Sequence, residues 1–223
     1  MRKAFSMLQD LPPNPRILEI GCGPGTQTLE LARLANGTIT AIDTYQPYLD
    51  RLTQNAREQG LENRINAQYG DMFDLSFLGE PFDLIWSEGA IYILGFDRGF
   101  KAWKNLLKPQ GYLAVTEISW LQSNPSTEIQ SFWNENYPNM RDIETNREQI
   151  RQAGYREIGN FVLPESDWWN YYDSIEAKIV CLKEKYRNDR SSIDLLNSEQ
   201  REIDLYRKYS SEYSYVFYIA QVA

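Results

Sequence analysis

Glu19-Ile-Gly-Cys-Gly-Pro-Gly-Thr26 is the part of the 223-residue chain best suited to hold a ligand. Glycines at 21, 23 and 25 let a backbone turn sharply and approach a bound group with no side chain between them. The segment follows the apolar run Arg16–Ile20 and precedes an amphipathic stretch, so it has the form of a strand–loop–helix turn in a nucleotide-binding unit. A dinucleotide fingerprint would place its third glycine at 26, where this chain has Thr26, which disfavours nicotinamide and flavin dinucleotides. Asp43 ends the next apolar run, about twenty residues after the glycines, where a carboxylate can accept hydrogen bonds from both hydroxyls of a ribose. Alone, the glycines also suit a structural turn and Asp43 a helix cap. Together they favour a ligand site.

What is missing narrows the chemistry further. The chain has no histidine, which removes histidine general bases, serine triads and His-ligated metals. Its two cysteines, Cys22 and Cys181, lie far apart, so neither a thiolate zinc cluster nor a structural disulfide is expected, and no metal site is assigned. Cys22 reads as a small packing residue within the loop. A net charge of −8 without an obvious basic cluster argues against a long nucleic acid as partner. No run approaches the ~20 apolar residues of a membrane span. The N-terminal segment lacks the apolar core of a signal peptide, and a cytoplasmic protein is expected.

The elements that must position these residues follow from hydrophobic period. Arg16–Ile20, Thr38–Asp43, Ile65–Tyr69, 82–86 and 111–117 read as buried strands, with helices between them over Thr26–Leu34, from Pro47 to about Gly60, and across Phe100 to Leu107. Helices near 126–135 and 144–153, a weaker strand at 157–163 and a strong one at 215–222 complete the pattern. The fifty or so residues between the last two strands far exceed a hairpin loop. Ile175, Ile179, Leu182 and Tyr186, then Ile203 and Tyr206, recur at helical spacing, predicting a helical insertion over 164–212. The expected fold is one α/β domain spanning 1–223: a doubly wound, seven-stranded, mostly parallel Rossmann-like sheet with an antiparallel last strand and the insertion before it.

Five segments in order carry a family resemblance: Leu18-Glu-Ile-Gly-Cys-Gly-Pro-Gly25, Ala41-Ile-Asp43, Gly70-Asp-Met-Phe73, Phe82-Asp-Leu-Ile-Trp-Ser-Glu-Gly89 and Leu107-Lys-Pro-Gln-Gly-Tyr-Leu113. From Arg16 to Glu117 the chain resembles class I S-adenosylmethionine (SAM)-dependent methyltransferases, most closely the small-molecule, ubiquinone-biosynthesis-like branch. The resemblance implies SAM as cofactor. It places Glu19 and Gly21 toward the methionine part, with Gly23 and Gly25 shaping the loop beneath. Asp43 would hold the ribose, Thr44 and Tyr45 would flank the adenosine, and Asp71 would accept from the adenine amino group with the Met72 backbone nearby. Ser87 would approach the sulfonium end. Gln110 departs from the glycine usual in the Lys-Pro-Gly-Gly turn. About fifteen residues precede the first strand where relatives often carry a longer helical segment, so a more open acceptor side is expected.

The function expected from this resemblance is methyl transfer to a nitrogen or oxygen of a small molecule, with an amine as one candidate acceptor. A nicotinamide-dependent oxidoreductase and a non-catalytic SAM-binding protein are the alternatives. Glu88 and Tyr92 are the candidate catalytic residues, with Glu117 a further acceptor-side carboxylate. Glu88 reads equally as a carboxylate at a helix start, favoured by the dipole. Trp168, Trp169 and Tyr172, with Tyr171, form an aromatic set in the insertion that would either bind the acceptor or pack against the core. Oligomeric state is not legible.

Overall fold

The computed structural model describes all residues, Met1–Ala223, and these divide into two compact units. The first comprises Met1–Glu117, Glu144–Phe161 and Val216–Ala223, and the second Ile118–Ile143 and Val162–Tyr215.

In the first unit, α1 (Arg2–Phe5) precedes an alternating series: β1 (Arg16–Ile20), α2 (Thr26–Leu34), β2 (Thr38–Asp43), α3 (Gln46–Glu58), β3 (Ile65–Tyr69) and β4 (Phe82–Ser87). Then come α4 (Ile91–Leu94), α5 (Phe96–Trp103) and the long strand β5 (Leu107–Trp120). Strands β1 to β5 pair in parallel, in the order β3-β2-β1-β4-β5. Ile17, Leu18 and Ile20 of β1 and Leu84, Ile85 and Trp86 of β4 are fully buried. Central parallel strands are covered on both faces, so they read as unbroken apolar runs rather than alternations. Each such side chain contributes about 1.5–3 kcal/mol by leaving water. Helix α3 buries Leu49, Leu52 and Ala56 on one side and packs on β2 and β3. The N-terminal residues are engaged too: Arg2 pairs with Glu30 of α2, and the Lys3 ammonium lies 4.3 Å from the Phe161 ring centre.

Beyond β5 come α6 (Thr127–Asn136), β6 (Arg141–Asp142), α7 (Ile143–Gln152) and β7 (Tyr155–Val162), then α8 (Glu165–Lys185), α9 (Arg190–Tyr209) and β8 (Tyr213–Val222). The sheet continues β5-β8-β7, with antiparallel C-terminal strands as expected. An eighth strand, β6, pairs with the end of β5 through two residues only, too few for any sequence period.

The second unit holds α6, α8 and α9. It is wider than 164–212, because Ile118–Ile143 groups with it. Ser126 donates from its backbone N and its Oγ to Glu212 at 2.6 and 2.7 Å, while Glu128 of α6 accepts from Lys208 and Tyr209 of α9. Its core gathers Ile129, Phe132, Trp133, Trp168, Tyr172, Ile179, Ile203, Tyr206 and Tyr213.

Candidate cofactor site

At the carboxyl ends of β1 to β4, where open α/β sheets bind ligands, lies a cavity of about 380 Å³. Its wall comes from four segments: Ile20 and Gly21; Ile42, Asp43 and Thr44; Gly70, Asp71, Met72 and Phe73; and Gly89, Ala90 and Ile93. Two carboxylates and no basic side chain line it, which suits a ligand with hydroxyls and positive charge.

The glycine loop has a definite shape. Gly21 takes φ +75°, and a Cβ there would stand 2.5 Å from the Ala90 Cβ on the opposite wall. Gly25 caps α2 at φ +90°, and a side chain would overlap Leu52 of α3. The loop is tied down by Gly21 N and Cys22 N, which donate to Ile42 O at 2.9 and 3.0 Å.

Asp43 is oriented before any ligand arrives. Its Oδ2 accepts from Gly23 N and its Oδ1 from Tyr45 N, both at 2.9 Å. A carboxylate has about four lone-pair positions, so both oxygens keep capacity for ribose hydroxyls. Asp71 Oδ1 accepts from Phe73 N at 3.0 Å, which fixes the segment that carries Met72.

Glu19 is 2% exposed, and one of its oxygens, Oε2, has no hydrogen-bond partner. Burial raises its carboxyl to about 8; the Thr28 hydroxyl opposes this, and the Glu88 carboxylate adds to it. Glu88 Oε1 in turn accepts from Trp86 Nε1 at 2.8 Å. Burial, reinforced by Glu19 and Asp43, pushes the Cys22 thiol far up, so it stays protonated and is no nucleophile.

Of the residues singled out from the sequence, Gly21, Asp43, Thr44, Asp71 and Met72 line the cavity together. Glu19, in β1, and Gly23 and Gly25, in the loop, are not among the lining residues. Ser87 is fully buried and donates to Ile20 O at 3.0 Å, tying β4 to β1 rather than lining the cavity. Tyr45 is exposed and meets Tyr48 edge-on. Tyr92, on α4, is exposed, and Glu117 is buried on β5. Trp168 and Tyr172 are buried within the second unit: Trp168 stacks on Tyr206 at 4.3 Å and donates to Ser214 Oγ, and Tyr172 donates to Glu202. The Trp169 ring is covered by Arg207, and Tyr171 is exposed. Phe73, Gly89, Ala90 and Ile93 were not singled out. Phe73, the last residue of a motif segment, and Ile93, beyond another, are exposed apolar side chains, an exposure visible only once the chain is folded.

Residues 17–111 match the family described as a methyltransferase domain. Methyltransferase GfsG of Streptomyces halstedii is 28% identical over 110 residues, 49% of this chain and 40% of that protein. Phosphoethanolamine N-methyltransferase 3 of Arabidopsis thaliana is 23% identical over 157 residues, 70% of this chain and 32% of that one. The chain thus matches less than half the length of these curated relatives. Among solved structures, a SAM-dependent methyltransferase from Geobacter sulfurreducens in complex with S-adenosyl-L-homocysteine has a TM-score of 0.84 at 18% identity, covering 100% of this chain and 90% of that one. Residues 17–111 thus carry a methyltransferase domain, within a Rossmann-like α/β fold of the kind seen in class I, SAM-dependent methyltransferases. The match specifies this class and not the ubiquinone-biosynthesis-like branch.

Proposed function

We propose that the protein transfers a methyl group from SAM to a nitrogen or oxygen of a small-molecule acceptor. The observation that carries this is the single cavity in which Gly21, Asp43 and Asp71 converge. Bound there, SAM would supply a methyl group activated on a positive sulfur. The chain's own task is to bind, orient and exclude water. Asp43, already held by two backbone N–H groups, would accept from the ribose hydroxyls. Asp71 accepts from the adenine amino group, and the acidic wall favours a cationic ligand over a neutral one.

On the acceptor side, Glu88 is the carboxylate next to the cavity wall at Gly89, its orientation set by the Trp86 indole. An amine suits this protein best, since a neutral nitrogen needs no strong base and the chain has no histidine. Tyr92, a partly exposed side chain on α4, stays a candidate for acceptor contact. Trp168 and Tyr172 we assign to packing, because their polar atoms and ring faces are already engaged inside the second unit.

Thermal melting tests the reading. SAM and S-adenosylhomocysteine should raise the melting temperature, while NAD and ATP should not. At one hundred times the dissociation constant the gain is ~2.7 kcal/mol. Equal stabilisation by NAD would refute the assignment.

A further inference from the structure

Three consecutive residues at the end of β4 are each tied to a different partner. Ser87 Oγ donates to Ile20 O of β1 at 3.0 Å. Glu88 Oε1 accepts from Trp86 Nε1 at 2.8 Å, and the Trp86 ring is fully buried against Phe217 of β8. Gly89 N donates to Thr116 Oγ1 of β5, also at 2.8 Å. Register explains the last bond. Ser87 pairs with Val115, so Thr116, itself buried, comes level with the turn that leaves β4.

That bond holds a part of the cavity that packing leaves free. Gly89 is the first of the wall residues on this side, with Ala90 and Ile93. It takes φ +64°, and a Cβ there would meet nothing within 4 Å. Glycine has the widest choice of backbone conformation, so with open space around it the corner depends on where its N–H is directed. Without the Thr116 oxygen, that N–H would turn to water and take the corner with it. The tolerance for such a shift is small. Ala90, the next residue, stands so close to the glycine loop that a Cβ on Gly21 would come within 2.5 Å of the Ala90 Cβ.

We propose, resting on the cofactor reading above, that Thr116 is a positioning residue for SAM binding: through Gly89 N it sets the β4 wall at its working distance from the glycine loop before any ligand arrives. Thr116 does not line the cavity and acts only through Gly89. Its hydroxyl carries no charge, so it serves SAM and S-adenosylhomocysteine alike. Valine in its place would keep the shape and lose the acceptor, whereas serine would keep the acceptor.

Calorimetry of both ligands with the full chain tests the proposal. Thr116→Val should raise both dissociation constants about 3- to 10-fold, the factor by which losing one hydrogen bond lowers the population with the wall in place. Thr116→Ser should restore the parent affinities. A purely structural role predicts a lower melting temperature for Thr116→Val with both affinities intact, and that result overturns the proposal. A loss confined to one ligand, or a serine variant as weak as the valine one, overturns it as well. Should Thr116→Val fail to fold, hydrogen exchange of the parent decides. The Gly89 amide should be protected without ligand, and exchange at the rate of a free amide would show that the wall is not preset. Each of these adverse results leaves the cofactor reading standing. If the parent binds neither ligand, the cofactor reading fails and this proposal with it.

Discussion

Asp43 does two jobs with one carboxylate. It accepts from Gly23 N and Tyr45 N, so it braces the glycine loop against the end of β2, and it keeps lone pairs for a ribose. Asp71 braces only its own turn, through Phe73 N. Asp43→Ala should therefore weaken SAM binding more than Asp71→Ala does. Charge-assisted bonds are worth ~1.5–3 kcal/mol, so calorimetry should show about 3 kcal/mol lost for Asp43 and about 1 kcal/mol for Asp71, whose contact water can partly replace. The reverse order would misplace the ribose. Asp43 was legible from its spacing alone, because the strand–loop–helix turn is short and its geometry local. Glu19 was legible as a motif residue, but the upward push on its carboxyl was not, since that comes first from burial and then from Glu88, just beyond β4.

Backbone conformation in the turns explains which side chains an element tolerates. Gly25, at the start of α2, takes φ +90°, and a side chain there would run into Leu52 of α3. Gly25→Ala would combine a left-handed conformation, costing ~1–2 kcal/mol, with overpacking of ~1–3 kcal/mol. Urea denaturation should show about 2–5 kcal/mol lost. Gln110 is the converse case. It is the one non-glycine residue with positive φ, at 62°, in the turn where the family resemblance leads one to expect glycine. Gln110→Gly should stabilise the protein by about 0.5–1 kcal/mol, the relief of left-handed strain less the extra freedom of the unfolded glycine. An unchanged or lower urea midpoint would mean that the Gln110 side chain contributes something the backbone does not reveal. The departure at Gln110 was visible in the sequence; the strain it carries was not, because φ is a property of the folded turn.

For the molecule as a whole, the second unit takes its stability from aromatic packing. Trp168→Leu removes the stack on Tyr206 and the indole's hydrogen bond to Ser214 Oγ. It should cost about 2–3 kcal/mol, lowering the melting temperature by ~4–12 °C at this chain length, with SAM affinity unchanged. A normal melting temperature with impaired acceptor binding would instead restore the ring to a pocket wall. From sequence these aromatics could be either, because helical spacing says that a face is apolar without saying what covers it.

The glycine loop, Asp43, the β1-to-β5 alternation and the two helices α8 and α9 could all be read in advance. They rest on period, turn chemistry and contacts between near neighbours in the chain, which local residue types dictate. The union of Ile118–Ile143 with α8 and α9, the two-residue strand β6, the structural use of Ser87, and the apolar rim of Phe73 and Ile93 could not. Each depends on groups that folding brings together from distant parts of the chain, as when Ser126 meets Glu212 or Glu128 meets Lys208. A linear pattern specifies which residues will be buried, but the partners that decide whether a buried group packs, bonds or ionises are chosen by the packing of the whole.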